Sequence, residues 1–328
     1  MNTRHTKTAI IVLLLVANAF FAYNIADLYI KSENIPSEMI NDAAFILNSK
    51  GLKMDKSSIP QKKPSGMIYG GVYEGIYSDD AFREIVKCFS GISDENLKEA
   101  GDILPVGETY VAGGYRFICS ETDYFKIGIM ELEYADRLKD FSVVNPDTGK
   151  TELEEQTQAK TELLLKKTSA IQKKDLKGAE DAIKDFLKNC PSQDSKLGFD
   201  IIRLEKDIFL GLDYVLINQT FDGVPIDSHL AYIEMQDGQI KYFCGEWYFG
   251  GFAGRYPAAL LDSVNILFKC ADTDGNIIKE SGELKEMKVE YIVIPHEKGK
   301  FYLTPSWQLV FENEKKLSYN MITGDKKN

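Results

Sequence analysis

An apolar run of nineteen residues, Thr8 to Ala26, stands near the start of this 328-residue chain and constrains all that follows. At about 1.5 Å per residue, a helix of that length spans roughly 28 Å, close to the roughly 30 Å hydrocarbon core of a bilayer. Only Thr8, Asn18 and Asn24 are plainly polar, and Tyr23 stands where an interfacial anchor belongs. Arg4 and Lys7 precede the run; Asp27 and Glu33 follow it, with Lys31 between them. The positive-inside rule then predicts residues 1–7 in the cytoplasm, a single-pass anchor over 8–26 in the cell membrane, and an extracytoplasmic body. A cleaved signal peptide is the competing reading, since Ala17-Asn18-Ala19 has the small-x-small form of a cleavage site. Its apolar core, Ala9 to Val16, would be short, and the chain continues into Phe20-Phe21-Ala22-Tyr23 instead of turning polar. A buried helix of a soluble domain is the third reading.

Charge narrows the partners. The chain carries 39 Lys and Arg against 50 Asp and Glu, a formal charge of −11, or −13 from Thr8 onward. So acidic a body, with its lysines interspersed among carboxylates, argues against nucleic acid and against electrostatic binding to anionic lipid. Five dispersed cysteines, Cys88, Cys119, Cys190, Cys244 and Cys270, make a poor disulfide framework, and most read as small buried hydrophobes. Asn218-Gln219-Thr220 fits a glycosylation sequon that matters only in a eukaryotic secretory pathway.

Periodicity predicts an α+β body. Pro36 opens a helix with Met39, Ile40, Ala43, Ala44, Ile46 and Leu47 on its apolar face, and Gly51 stops it. Strands follow at Leu52 to Ile59 and, irregular with glycine, at Met67 to Tyr77; Ser78-Asp79-Asp80 then caps a helix to Phe89. Glu108 to Cys119 and Tyr124 to Glu133 read as a hairpin, and the cluster Asn145 to Gly149 as the clearest break. After a polar helical stretch from Glu152 to Lys174 comes an amphipathic helix, Leu176 to Cys190, then strands at Gly198 to Lys206 and Tyr214 to Phe221. Asp222-Gly223 and Asp237-Gly238 are tight-turn signals, the second joining His229–Met235 to Ile240–Phe249. A helix from Pro257 to Phe268 and strands at Met287–Pro295, Pro305–Glu312 and Leu317–Met321 complete the chain. The predicted organisation is an N-terminal transmembrane helix, an α+β domain over 27–145, a turn and connecting helix over 146–175, and a second α+β domain over 176–328. Each domain is an antiparallel sheet with helices packed on one face.

Motifs for catalysis are missing: no G-x-S-x-G elbow, Walker loop, G-x-G-x-x-G or H-E-x-x-H occurs. His229 and His296 are the only imidazoles after the apolar run, too few for a zinc site without distant carboxylates. Asp272-Thr273-Asp274-Gly275-Asn276 resembles a calcium loop, but its glycine stands fourth and not sixth, so a solvated turn is the better reading. The expectation is a protein that is not an enzyme, with no cofactor and no metal. Gly245 to Tyr256 is an aromatic and glycine-rich run; exposed, its Trp247 and Phe252 would offer a partner surface, and otherwise they pack a core.

Ile35-Pro36-Ser37-Glu38-Met39-Ile40 with Leu47-Asn48-Ser49-Lys50-Gly51-Leu52 resembles the juxtamembrane helix and first strand of YycI-like regulatory proteins of Gram-positive bacteria. Gln219 to Ile226, the hairpin Tyr232 to Phe243 and Trp247 carry the same resemblance. The ending, Pro305 to Val310 and Tyr319 to Gly324, is similar to a closing pattern shared with PepSY-like domains. The resemblance implies a membrane-anchored ectodomain that restrains the sensor histidine kinase of a two-component system governing the cell wall, often beside a YycH-like sibling, through its transmembrane helix as well as its ectodomain. The anchor would then meet partner helices through Ala17, Asn18, Ala19, Ala22 and Asn24, small and polar positions that let helices approach and hydrogen-bond. The alternative is a PepSY-like binding or inhibitory module for a secreted peptidase or a cell-wall component.

Overall fold

The computed structural model describes residues 33–64, 67–72, 104–106, 109–112, 114–119, 126–131, 152–166, 173–188, 195–207, 209–296 and 300–327. The apolar run 8–26, with Ala17, Asn18, Ala19, Ala22 and Asn24, lies outside these residues, as do the helix expected over Ser78–Phe89 and the turn cluster at 145–149. Among the described residues no helix is long and apolar enough to cross a membrane. The fold is α+β, with a mostly antiparallel sheet.

Two compact units share the chain, and they interleave instead of following one another. One comprises 1–67, 257–289 and 305–328; the other comprises 68–256 and 290–304. This division differs from the expected split into 27–145 and 176–328. The reason is long-range strand pairing: the early strand β1 (Met67–Val72) takes its partner from β12 (Lys300–Phe311), near the chain's end, with Tyr69 opposite Leu303 and Val72 opposite Lys300.

The first unit is built on α1 (Ser37–Ser49). Ile40, Ala43, Ala44 and Leu47, at helical spacing, are buried in a core with Val264, Ile266, Leu267, Cys270, Trp307, Leu309 and Tyr319. Gly51, at φ +90, lets the chain leave the helix, with Leu52 N donating to Leu47 O at 3.0 Å. Asn48 fixes the next turn of chain. Its Nδ2 donates to Ala44 O and Met54 O, while its Oδ1 accepts from Met54 N. The expected strand over 52–59 is a single bridge, Met54 to Leu284, followed by a 3-10 turn over Lys56–Ser58. Asp55 explains the difference, since its carboxylate accepts from Ser57 N at 2.8 Å and closes a local turn where a ladder would need extension. The helix α4 (Ser263–Thr273) begins at Asp262, whose side chain accepts from Asn265 N, and not at Pro257. A short helix α5 (Gly275–Glu280) follows at once, so the calcium-like sequence spans a helix junction. There Tyr319 Oη donates to Asp274 Oδ2 at 3.1 Å. Strand β13 (Lys316–Asn320) pairs with the distal half of β12, from Ser306 opposite Asn320 to Val310 opposite Lys316.

The second unit is a sheet with a helix on each face. Strands β2 (Leu104–Val106), β3 (Thr109–Ala112), β4 (Tyr115–Cys119), β5 (Lys126–Glu131), β6 (Leu197–Asp207), β7 (Leu212–Phe221), β8 (Val224–Gln236) and β9 (Gln239–Glu246) join antiparallel in the order β6-β7-β8-β9-β5-β4-β3-β2. The start of β8 also meets β11 (Leu284–Pro295) in parallel, Ile226 opposite Tyr291, and from β11 the order runs through β12 and β1 to β10 (Phe252–Pro257). The Asp222-Gly223 and Asp237-Gly238 turns have positive φ at both residues, the geometry whose twist suits two-residue hairpins.

Alternation along these strands sends side chains to two cores. Val215, Ile217, Ala231, Ile233 and Phe243 pack against Ala179, Ile183 and Leu187 of helix α3 (Lys173–Lys188). Leu216, Tyr232, Tyr242 and Met130 face the other way, against Leu164 of helix α2 (Glu152–Lys166). Helices therefore cover both faces, which corrects the expected one-faced packing: strands of this sheet are apolar at successive positions such as Val215-Leu216-Ile217, all fully buried. The connecting helix expected from Glu152 to Lys174 is α2, ending at Lys166 and packed on the sheet through Leu164. Lys160 ties it down, bridging to the buried Glu234 at 2.7 Å and lying 5.7 Å from the Tyr232 ring centre. Tyr232 Oη donates to the same carboxylate at 2.7 Å.

A buried carboxamide closes the sheet's end. Gln219 Oε1 accepts from Tyr248 N at 3.0 Å, its Nε2 donates to Tyr248 O at 2.6 Å, and His229 Nδ1 lies 3.0 Å from the same Oε1. The side chain thereby substitutes for a neighbouring strand where β9 has ended. Replacing Gln219 by Leu removes all three bonds, and an expected loss of about 2 kcal/mol or more of stability follows from the desolvated groups. Urea unfolding checks this; an unchanged midpoint would contradict it.

Candidate binding surface on strands β10, β1 and β12

Where the glycine-rich strand β1 lies between β10 and β12, the two faces of the sheet have different characters. Tyr69 points inward, 6% exposed, into a cluster of rings: Phe221 lies 4.5 Å from it, Tyr291 6.0 Å and Phe252 6.1 Å, all edge-on. Phe221 and Phe252 are 4.5 Å apart, and Tyr248 and Phe301 extend the cluster at 5.0 Å from each other. Edge-to-face geometry sets ring hydrogens against π faces and adds about 0.5–1.5 kcal/mol per pair to ordinary burial. Burial pushes the Tyr291 hydroxyl well above the usual phenol range, reinforced by Tyr69 and by the Asp222 charge.

Two cations rim this cluster. Lys196 Nζ sits 5.8 Å from the Tyr69 ring centre and 5.7 Å from that of Phe221, paired with Asp222 at 3.2 Å. The exposed Arg255 lies 5.9 Å from the Tyr69 ring.

The outer face is more open. Gly70, opposite Tyr302 in the ladder, exposes the flank of Tyr256, whose ring meets Tyr302 edge-on at 5.9 Å. His296 is exposed and lies 4.9 Å from Tyr302. Tyr256, Tyr302 and His296 offer ring faces, hydroxyls and an imidazole together. That chemistry suits recognition of a partner's side chains.

The residues singled out from sequence fare differently. Phe252 is half-buried within the inner cluster. Trp247 is fully buried beneath α3 and the sheet, edge-on to Phe243 at 5.6 Å, so it packs a core and is no surface contact. Gln219 is the cause, because it holds the adjoining Tyr248 backbone and turns the chain inward. His229 and His296 are not gathered into one site, and among the described residues no group of His, Cys, Asp and Glu is arranged to hold a metal ion. Asn218 of the sequon donates Nδ2 to Ile226 O and His229 O. Cys244 and Cys270 are free thiols, and burial pushes Cys270 up to about 12.

Tyr69, Lys196, Phe221, Tyr291 and Arg255 were not singled out by sequence reasoning. Their signal was the pair Gly70-Gly71 inside an otherwise aromatic and β-branched strand. Gly71 is required there: a Cβ on it would stand 2.2 Å from the Phe301 ring.

Two contrasting outcomes follow. Gly71→Ala forces Phe301 aside and should cost about 1–3 kcal/mol, as overpacking does, whereas Tyr256→Ala, on the outer face, should leave the melting temperature nearly unchanged. Thermal melts distinguish them. The raised Cys270 pKa predicts that its thiol stays protonated at pH 9 and resists iodoacetamide in the folded protein. Mass mapping would then find alkylation at Cys270 only after unfolding.

No family model and no curated protein matches the chain. Among solved structures it is similar to an uncharacterized protein from Eubacterium rectale ATCC 33656, with a TM-score of 0.41 and 12% identity over 83% of this chain and 88% of that one.

Proposed function

We propose that this chain is a membrane-anchored, non-enzymatic extracytoplasmic regulator, and that its partner is the sensor histidine kinase of a two-component system. One observation carries the reading. The chain is already tied into the first unit at Glu33, whose carbonyl accepts from Lys63 N at 2.8 Å, and Ile35 N donates to Gln61 O at 2.7 Å. Only six residues, 27–32, separate that tie from the apolar run ending at Ala26. Even fully extended, so short a link reaches about 25 Å. Directly after it, α1 is fixed by its buried face. In this reading a shift of the anchor against a partner's helices reaches the folded body at the tied residues Glu33 and Ile35.

In this reading Asn18 and Asn24 bond across to the partner within the membrane, and the body favours one conformational state of the kinase. Such bias requires unequal affinity for the two states. The exposed Tyr256 and Arg255, with the half-buried Tyr302, are the body's contact surface. A YycH-like sibling is a further proposed partner, and the proposed location is the cell membrane with the N-terminus inside.

Crosslinking in membranes followed by identification of the captured protein tests the partner's class: a histidine kinase supports the reading, and a secreted peptidase or wall polymer overturns it in favour of a PepSY-like binding module. Asn18→Leu is expected to weaken co-purification with the kinase and to alter signalling output. Inserting a flexible Gly-Ser segment between Ala26 and Asp27 is expected to leave co-purification intact while abolishing the output change. If the elongated link regulates normally, coupling through it is wrong.

A further inference from the structure

Helix α2 is a cover held by charge more than by apolar packing. Among its described side chains, Gln158 to Leu165, only Leu164 is buried; Leu163 is 55% exposed and Leu165 43% exposed. Helix α3, on the other face, docks instead through Ala179, Ile183 and Leu187 at helical spacing. What fastens α2 in addition is Lys160. Its Nζ lies 2.7 Å from Glu234 Oε1, 5.7 Å from the Tyr232 ring centre and 5.9 Å from that of Tyr214. The two rings are stacked at 18° with centres 6.3 Å apart, and Tyr232 Oη donates to the same carboxylate oxygen at 2.7 Å. An ammonium group thus meets a carboxylate and two ring faces, which is the chemistry of a lysine-binding site. Exposure divides that site unequally: the Glu234 side chain is 2% exposed and the Lys160 side chain 41%. The carboxylate belongs to the sheet, and the cation reaches it from the rim on a flexible stem.

We infer that Glu234, Tyr232 and Tyr214 form a site for a lysine on a basic segment of a partner, which Lys160 occupies in cis and vacates when α2 lifts. Charge selects that occupant. Helix α2 carries Glu152, Glu154, Glu155 and Glu162 against Lys160 and Lys166, and it lies on a chain of formal charge −11. The cover therefore adds negative charge to an acidic body, whereas a basic segment brings the same ammonium group without that repulsion. A carboxylate so deep in the sheet needs a cation whenever the face is covered, since a buried pair that loses one partner leaves an uncompensated charge. Leu216, Tyr242 and Met130, which share a core with Leu164, supply the apolar part of the contact once α2 has lifted. Nothing in this site depends on the membrane anchor.

A fluorescein-labelled peptide of residues 152–166, offered in trans to the full chain, is the probe. In the unsubstituted protein the tethered α2 competes at high effective concentration, so the peptide binds weakly. Lys160→Met in the full chain removes the resident cation, and this variant is expected to bind the peptide about tenfold or more tightly. The same peptide carrying Lys160→Met is expected not to bind, and Glu234→Gln added to the variant chain is expected to abolish the gain. Replacing Glu152, Glu154, Glu155 and Glu162 of the peptide by Gln is expected to tighten binding further. No binding to the Lys160→Met chain, equal binding of the two lysine and methionine peptides, or a gain that survives Glu234→Gln overturns the site; no tightening from the Gln peptide overturns the basic partner. Hydrogen exchange on the unsubstituted protein needs no variant to fold. There the α2 amides are expected to exchange about tenfold or more faster than those of α3, through local opening of the cover. Exchange of α2 in step with β8 means that it leaves only when the unit unfolds, and that also overturns the site.

Discussion

Strand β12 is the element on which the rest depends. Its first residues, 300–303, form the ladder with β1, and residues 306–310 form the ladder with β13. In the first unit, its Trp307, Leu309 and Phe311 lie in the core that also buries α1. Trp307 Nε1 donates to Leu261 O at 3.1 Å, so this ring is held by a bond as well as by packing. Neither β1 nor α1 can bury its apolar side until a strand near the end of the chain has arrived. Such pairings close long loops before any contact rewards them, and they favour slow folding compared with the local meander β6-β7-β8-β9.

The meander was legible for the same reason that it is local. Asp-Gly at 222–223 and 237–238 names both the turn type and the register, since two central residues at positive φ leave few other choices. Helix α1 was legible from its spacing and Gly51. What failed to show were competitions settled by side chains. Asp55 folds a 3-10 turn out of an alternating stretch, and Asp262 starts α4 five residues beyond Pro257, which ends a strand. Of the surface formed by β10, β1 and β12, only the glycines and aromatics were visible. Which rings face inward depends on register with a strand far away in sequence, and no local pattern encodes that.

Two carboxamides do work that a backbone does elsewhere. Asn48 bonds both N–H and C=O of Met54, and Gln219 bonds both N–H and C=O of Tyr248. In each case one side chain presents a donor and an acceptor at the spacing of a strand neighbour, where regular pairing has run out. Such bonds contribute modestly when made, but leaving their partners dry is costly. That asymmetry makes Asn48 and Gln219 specifiers of a path: Asn48 directs the chain after α1 toward Leu284, and Gln219 turns Trp247 inward and leaves Phe252 beside Tyr69.

The path also decides what an anchored regulator of this shape of chain could transmit. Hydrogen bonds at Glu33 and Ile35, followed by the buried side of α1, tie the chain from residue 33 onward to the first core. A displacement passed to the body regulates only if the partner's states differ in how well they accommodate it. With 1.4 kcal/mol corresponding to a factor of ten in population, a single interhelical hydrogen bond available in one state and absent in the other already approaches the scale of a useful switch. An amide such as Asn18 is able to supply a bond of that size within a bilayer, where measured values run to about 1–2 kcal/mol. A flexible link would still allow the bond, yet it would let the body remain indifferent to it. In the proposed reading, the tie at Glu33 and Ile35 is what would give polar residues of an anchor a means of acting on the folded domain.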